Sequence, residues 1–179
     1  MKFNISQKDY ERSDVTNDSL IYGEVNHDDI YNILVDLKID LTEKLLLDIG
    51  SGCGNFLGGI SKLNSKAIYH GIEIEKHRYQ CSLCFESGPD SETIQNVYFK
   101  HGHYDTLYFG TYDIIYCCNT VFTDEENEHL YSKLIHESKT GYYVILFSHH
   151  KKLMCYLLFQ GQVETSWADC VNVYVYFIK

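Results

Sequence analysis

"LLLDIGSGCGNF", residues 45–56, decides the architecture of this 179-residue chain. Leu45–Ile49 is a short, mostly apolar run of the length of a buried strand. Glycines follow at 50, 52 and 54. Such a loop turns sharply and admits another group close to its backbone, because no Cβ stands in the way. Asn55–Lys62 then reads as the helix after the turn. Strand, glycine turn and helix make the opening unit of an open α/β sheet, whose ligand crevice lies beyond the carboxyl ends of the strands.

The same alternation continues outward. Upstream, Ile30, Ile33, Leu34 and Leu37 fall at i, i+3, i+4 and i+7, an amphipathic helix with acids in its first turn. Downstream, strands are expected at Ala67–Ile74, Asn96–Lys100, Tyr112–Cys117 and 141–147. Helices are expected at Lys76–Phe85 and Asp124–Glu137, with a turn at 87–92 that holds the one proline. Lys151–Gln160 reads as one more helix. The end, "CVNVYVYFIK", alternates with period two and follows no long crossover, which predicts an antiparallel last strand. The whole is an irregular arm over residues 1–25 and one domain over 26–179, a mostly parallel α/β sheet with helices on both faces.

Composition narrows the function. A formal net charge of −10 argues against broad grip on nucleic acid, which needs many Lys and Arg against phosphate. It suits a small molecule or a basic protein partner. No run approaches the ~20 apolar residues of a membrane span. Seven cysteines, an odd number without framework spacing, read as reduced thiols of an intracellular protein. The lone CxxC of Cys81 and Cys84 is expected on a buried helix face rather than on zinc, and no metal is expected.

Asp48 separates two ligand classes. A dinucleotide turn wants G-x-G-x-x-G, but here the third glycine comes one residue early and Asn55 takes the glycine's place. A pyrophosphate gains nothing from a nearby aspartate. D-x-G-x-G-x-G suits a ligand with a positive end, such as the amino-acid part of S-adenosylmethionine. Glu73, at the tip of the second strand and 23 positions after Gly50, is placed to accept bonds from ribose hydroxyls, which either cofactor has.

From about residue 20 onward the chain resembles the Dot-one (disruptor of telomeric silencing) family of histone lysine methyltransferases, non-SET enzymes of the seven-strand class I methyltransferase fold. "YGEV" at 22–25 resembles the family's loop over the methionine end of the cofactor. "LLLDIGSGCGNF" and "GIEIEK" resemble its glycine and ribose segments. "DIIYCCNTVF" is similar to its N-N-F-A-F stretch, and "ETSWADCVNVYVYFI" to its final tryptophan segment. The resemblance implies S-adenosylmethionine as cofactor, with S-adenosylhomocysteine as product. It implies cofactor contacts from Tyr22, Glu24, Asp48, Gly50, Ser51, Gly52, Asn55, Glu73, His103, Tyr104 and Asn119. It further implies an aromatic lysine channel, with Tyr22, Asn119, Phe122, Trp167 and Tyr174 around the reacting amine.

The implied substrate is a core histone, H-three in the nucleosome, met by a monomer with weak DNA contact, no membrane, and a nuclear setting. Cys118 stands where the family has an asparagine, and His103 where it has an aspartate at the adenine. Two other readings stay open: methylation of RNA or a small molecule, and a non-catalytic cofactor-binding module. The N-P-P-Y type of base-amine site is absent, since no proline occurs after position 90.

Overall fold

A computed structural model of the chain describes residues 23–87, 94, 96–137 and 141–178. Tyr22, most of the arm and most of the 87–92 turn lie outside them. The elements are α1 (His27–Asp36), β1 (Leu45–Ile49), α2 (Asn55–Leu63), β2 (Ile68–Glu73), α3 (Lys76–Ser82), the short α4 (Cys84–Ser87), β3 (Val97–His101), β4 (Ile114–Cys117), α5 (Asp124–His136), β5 (Tyr142–Leu146), β6 (Leu157–Val163) and β7 (Val171–Ile178).

Seven strands form one sheet in the order β3-β2-β1-β4-β5-β7-β6. The first five run parallel, and β7 pairs antiparallel with both β5 and β6. The chain starts at the centre with β1, runs outward to β3, and then returns to β4. That reversal opens a crevice between the tips of β1 and β4.

Each face of the sheet has its own core. On one, Leu46, Tyr69, Ile114 and Val175 meet Ile30, Leu34, Leu57 and Ile60 from α1 and α2. On the other, Leu47, Ile115, Val144 and Tyr176 meet Leu130, Tyr131 and Leu134 from α5. Local signals agree with this packing. The Asn26 side chain accepts from Asp28 N–H at the start of α1, and Thr123 and Glu126 form a reciprocal capping box that starts α5.

Two expectations are corrected. Lys151–Gln160 is not a helix: a 3-10 turn over Lys151–Tyr156 leads into β6. In β6 the half-buried or buried Leu157, Phe159, Gly161 and Val163 alternate with exposed Leu158, Gln160 and Gln162. The apolar triplet 157–159 hides this period of two from a reading along the sequence. The Cys81/Cys84 pair is exposed, because the helix breaks at Leu83 and turns Ser82 and Phe85 inward instead.

Candidate functional site

The glycine loop begins where β1 ends. Gly50, Gly52 and Gly54 have φ of 75°, 56° and 84°, left-handed values that disfavour a side chain at all three positions. Gly50 and Ser51 N–H both donate to Ile72 O, at 2.9 and 3.1 Å, and so fold the loop over the tip of β2. There Glu73, 3 % exposed, accepts from Gly52 N–H and from Glu75 N–H, each at 2.8 Å. One carboxylate thus ties the loop to the turn that starts α3, and each oxygen keeps a second lone pair.

Beneath the loop, two buried polar groups lack the partners that burial normally requires. Ser51 Oγ and Tyr116 Oη have no hydrogen-bond partner among the described residues. Asp48, 2 % exposed, is paired in register with Tyr116 on the neighbouring strand. Burial, with the charge of Glu73 added, pushes its carboxyl well above the ordinary range. The Tyr116 ring stacks on Phe56 in the first turn of α2, with centroids 4.1 Å apart. Tyr116 is a site residue that the sequence did not reveal. Its signal was its register with Asp48, which becomes visible only once β1 and β4 are known to be neighbours.

The proton on Asp48 has a stability consequence. The folded protein holds it more tightly than the unfolded chain, in which the carboxyl titrates near 3.8. Stability from this group is therefore greatest below that pH and falls as pH rises toward the folded-state value. Asp48→Asn removes the slope, so the ligand-free variant is expected to melt about 5 °C higher than the parent at neutral pH. A lower melting temperature in a calorimetric scan would show that a partner already satisfies the carboxylate.

Distant segments close one side of the crevice. Val25 bridges to Thr165, Glu24 N–H donates to Ser166 Oγ at 2.9 Å, and Ser166 N–H returns a bond to Glu24 O at 2.8 Å. Asn55, first residue of α2, donates its side-chain amide to Glu24 Oε1. Trp167 packs against Gly23, where a Cβ would overlap the indole. The structure thus brings together Gly23, Glu24, Asn55 and Trp167 from three separate stretches, although Trp167 stays 44 % exposed.

The remaining expected residues divide. Tyr104 is buried beside Phe109, and its ring stacks on exposed His103 at 4.3 Å. His103 caps a 3-10 turn and contacts Asp105 at 3.2 Å, while the other oxygen of Asp105 meets His129 of α5 at 2.8 Å. Phe122 and Tyr174 are half-buried against the α5-side core, and no ring of Phe122, Trp167 or Tyr174 stacks on another among the described residues. Burial pushes the Cys118 thiol up to about 11, so it is neutral at ordinary pH.

Asn119 requires a correction. Its side chain was expected to touch cofactor and amine, but all four of its hydrogen-bonding positions are filled from within the fold. The amide donates to Asn127 Oδ1 at 2.6 Å and Tyr131 Oη at 3.1 Å. Its oxygen accepts from Phe147 and Ser148 N–H at 2.9 and 3.0 Å. It is a positioning residue that joins the tips of β4 and β5 to α5.

No protein-family model and no curated protein sequence matches the chain. Solved structures do. An RNA methyltransferase from Salinibacter ruber, in complex with S-adenosyl-L-homocysteine, superimposes with a TM-score of 0.64 at 16% identity, over 84% of this chain and 90% of that one. A magnesium protoporphyrin IX methyltransferase from Synechocystis, with bound S-adenosylmethionine, gives 0.66 at 16% identity, over 86% and 79%. A methyltransferase from Aquifex aeolicus gives 0.61 at 14% identity, over 87% and 90%. At these identities the likeness establishes the fold: the chain has the Rossmann-like architecture of class I S-adenosylmethionine-dependent methyltransferases.

Proposed function

We propose that the chain is an S-adenosylmethionine-dependent methyltransferase whose acceptor is the amine of a lysine on a basic protein, a core histone being the first candidate. The observation that carries this reading is the meeting of Glu24, Ser166 and Trp167 with Asn55 beside the glycine loop. A generic fold of this class needs only the loop and Glu73. The added junction joins the segments in which the sequence resembles the Dot-one family most distinctively.

The residues suit the cofactor. Glu73 offers two acceptors to ribose hydroxyls. Tyr116 and Ser51 leave buried polar atoms unmatched beneath the glycine loop, and an ammonium would lower the cost of ionising Asp48. Tyr104 and His103 provide a stacked pair for a planar base. When bound, S-adenosylmethionine supplies an electrophilic methyl for in-line displacement, without a metal or covalent intermediate. The protein's task is alignment and desolvation. A lysine with a reference pKa of ~10.4 must arrive neutral, and apolar, aromatic walls lower that value. Trp167, Tyr174 and Phe122 provide such walls, with cation–π attraction guiding the ammonium in. The net charge of −10 favours a basic partner and disfavours long phosphate contact.

Transfer from methyl-labelled cofactor to nucleosomes, free histones and total RNA tests this. Label on histone lysine is expected, with affinity that depends only weakly on salt. Label on RNA alone, or on nothing despite tight cofactor binding, overturns the acceptor reading. Trp167→Ala is expected to lower kcat/KM for the protein acceptor about tenfold. Its melting temperature should stay close to the parent's, since 44 % of Trp167 is already exposed. Unchanged kcat/KM would remove Trp167 from the acceptor path.

A further inference from the structure

The tripeptide Ser148-His149-His150 leaves the tip of β5 and is held from three sides. Ser148 N–H donates to Asn119 Oδ1 at 3.0 Å, and the Tyr131 hydroxyl lies 3.3 Å from Ser148 O. His150 stacks on Tyr131 at 4.3 Å, and its Nε2 reaches Glu128 Oε1 at 2.6 Å. The hydroxyl of Tyr176, which is fully buried, lies 2.9 Å from His149 Nδ1. Between these anchors His149 is exposed, with its ring 5.1 Å from that of Tyr174. Tyr174 is level with Leu146, the last residue of β5, so the ring stands at the carboxyl edge of the sheet, as the glycine loop does.

The hydrogen bonds select one form of that ring. The buried Tyr176 hydroxyl meets no acceptor other than His149 Nδ1, 2.9 Å away, among the described residues, so its hydrogen points there. A neutral imidazole that accepts at Nδ1 carries its proton at Nε2. No partner meets Nε2 among the described residues. The outward atom is therefore a fixed donor on a clamped segment. A donor cannot bond an ammonium, so it does not read the target amine itself. It reads an acceptor atom beside the amine.

We infer that His149 is a specificity-determining residue of the acceptor side, donating from Nε2 to a main-chain carbonyl next to the target lysine. This rests on the peptidyl-lysine reading above. The acidic protein disfavours a carboxylate in that place, which leaves a carbonyl oxygen as the acceptor a peptide always presents. The role matters because a site built to donate a hydrogen bond discriminates strongly against a ligand that leaves the donor unmatched.

Two measurements test it. Long-range nitrogen–proton spectra of the imidazoles, taken without any acceptor, are expected to show His149 protonated at Nε2 and to show mixed tautomers in Tyr176→Phe. Protonation at Nδ1 in the parent overturns the inference. In steady-state transfer to histone, His149→Phe keeps a ring but no donor. It is expected to raise KM about tenfold, with kcat within about twofold and S-adenosylhomocysteine affinity unchanged. His149→Gln, which restores a donor, should recover most of the KM. A parent-like KM in His149→Phe sinks this inference alone. A parent protein that methylates no peptidyl lysine sinks the acceptor reading and this inference with it, whatever the tautomer.

Discussion

Glu73→Ala is expected to weaken S-adenosylhomocysteine binding by about 100-fold or more, a loss of ~2.7 kcal/mol. Two effects combine. The ribose hydroxyls lose a charged acceptor, the stronger kind of hydrogen-bond partner. The carboxylate also holds Gly52 N–H and Glu75 N–H at 2.8 Å each, so its removal leaves two donors at the loop unmatched. Gly52 sits at φ 56°, a left-handed conformation that its bond to Glu73 helps to hold. The loop should therefore lose order as well as a ligand contact.

Glu73→Gln separates these effects. Its carbonyl can accept from one of the two N–H groups, but its amide presents a donor to the other. A loss of about tenfold, between parent and alanine variant, is expected. Titration calorimetry on protein shown to be folded is the measurement. Binding within twofold of the parent in Glu73→Ala would place the ribose elsewhere and remove the main support for the cofactor site. The substitution should also ease ionisation of Asp48, because the charge of Glu73 is part of what holds that carboxyl up.

How far the sequence went is clearest by comparing Asp48 with Asn119. The acid was legible because its meaning is local: an apolar strand, an acid, and glycines at fixed offsets occur within a dozen residues. β1, α2 and α5 were equally legible, each combining strong periodicity with its own turn or cap signal. The junction of Glu24 with Asn55 and Ser166 could not be read from spacing, since the partners lie 31 and 142 residues away. Only the likeness of several segments to one family put them in the same place. β6 was missed because three apolar residues in a row match a helix face as well as a strand. The Tyr116 hydroxyl was missed because a tyrosine in an apolar strand is indistinguishable from core until the groups around it are counted.

Asn119 was misread for the opposite reason, that likeness to a family motif says nothing about where an amide's four bonds go. Asn119→Ala is expected to destabilise the ligand-free protein by about 4 kcal/mol. The amide is fully buried, and its loss orphans Phe147 and Ser148 N–H together with Asn127 Oδ1, and takes one of its partners from the hydroxyl of Tyr131. For a chain of this size that is a fall in Tm of about 8–16 °C. Asn119→Asp keeps an acceptor for the two N–H groups but sets a carboxylate oxygen against Asn127 Oδ1, now 2.6 Å from the amide nitrogen. It should fall nearly as far. The alternative, a direct contact with cofactor or amine, makes the opposite forecast. In that case Asn119→Ala would melt within a degree or two of the parent and lose cofactor affinity or turnover. Thermal melts and cofactor titrations on the same samples decide between the two. The geometry commits to the first, because a side chain that joins β4, β5 and α5 through four bonds has no bond left to give a ligand.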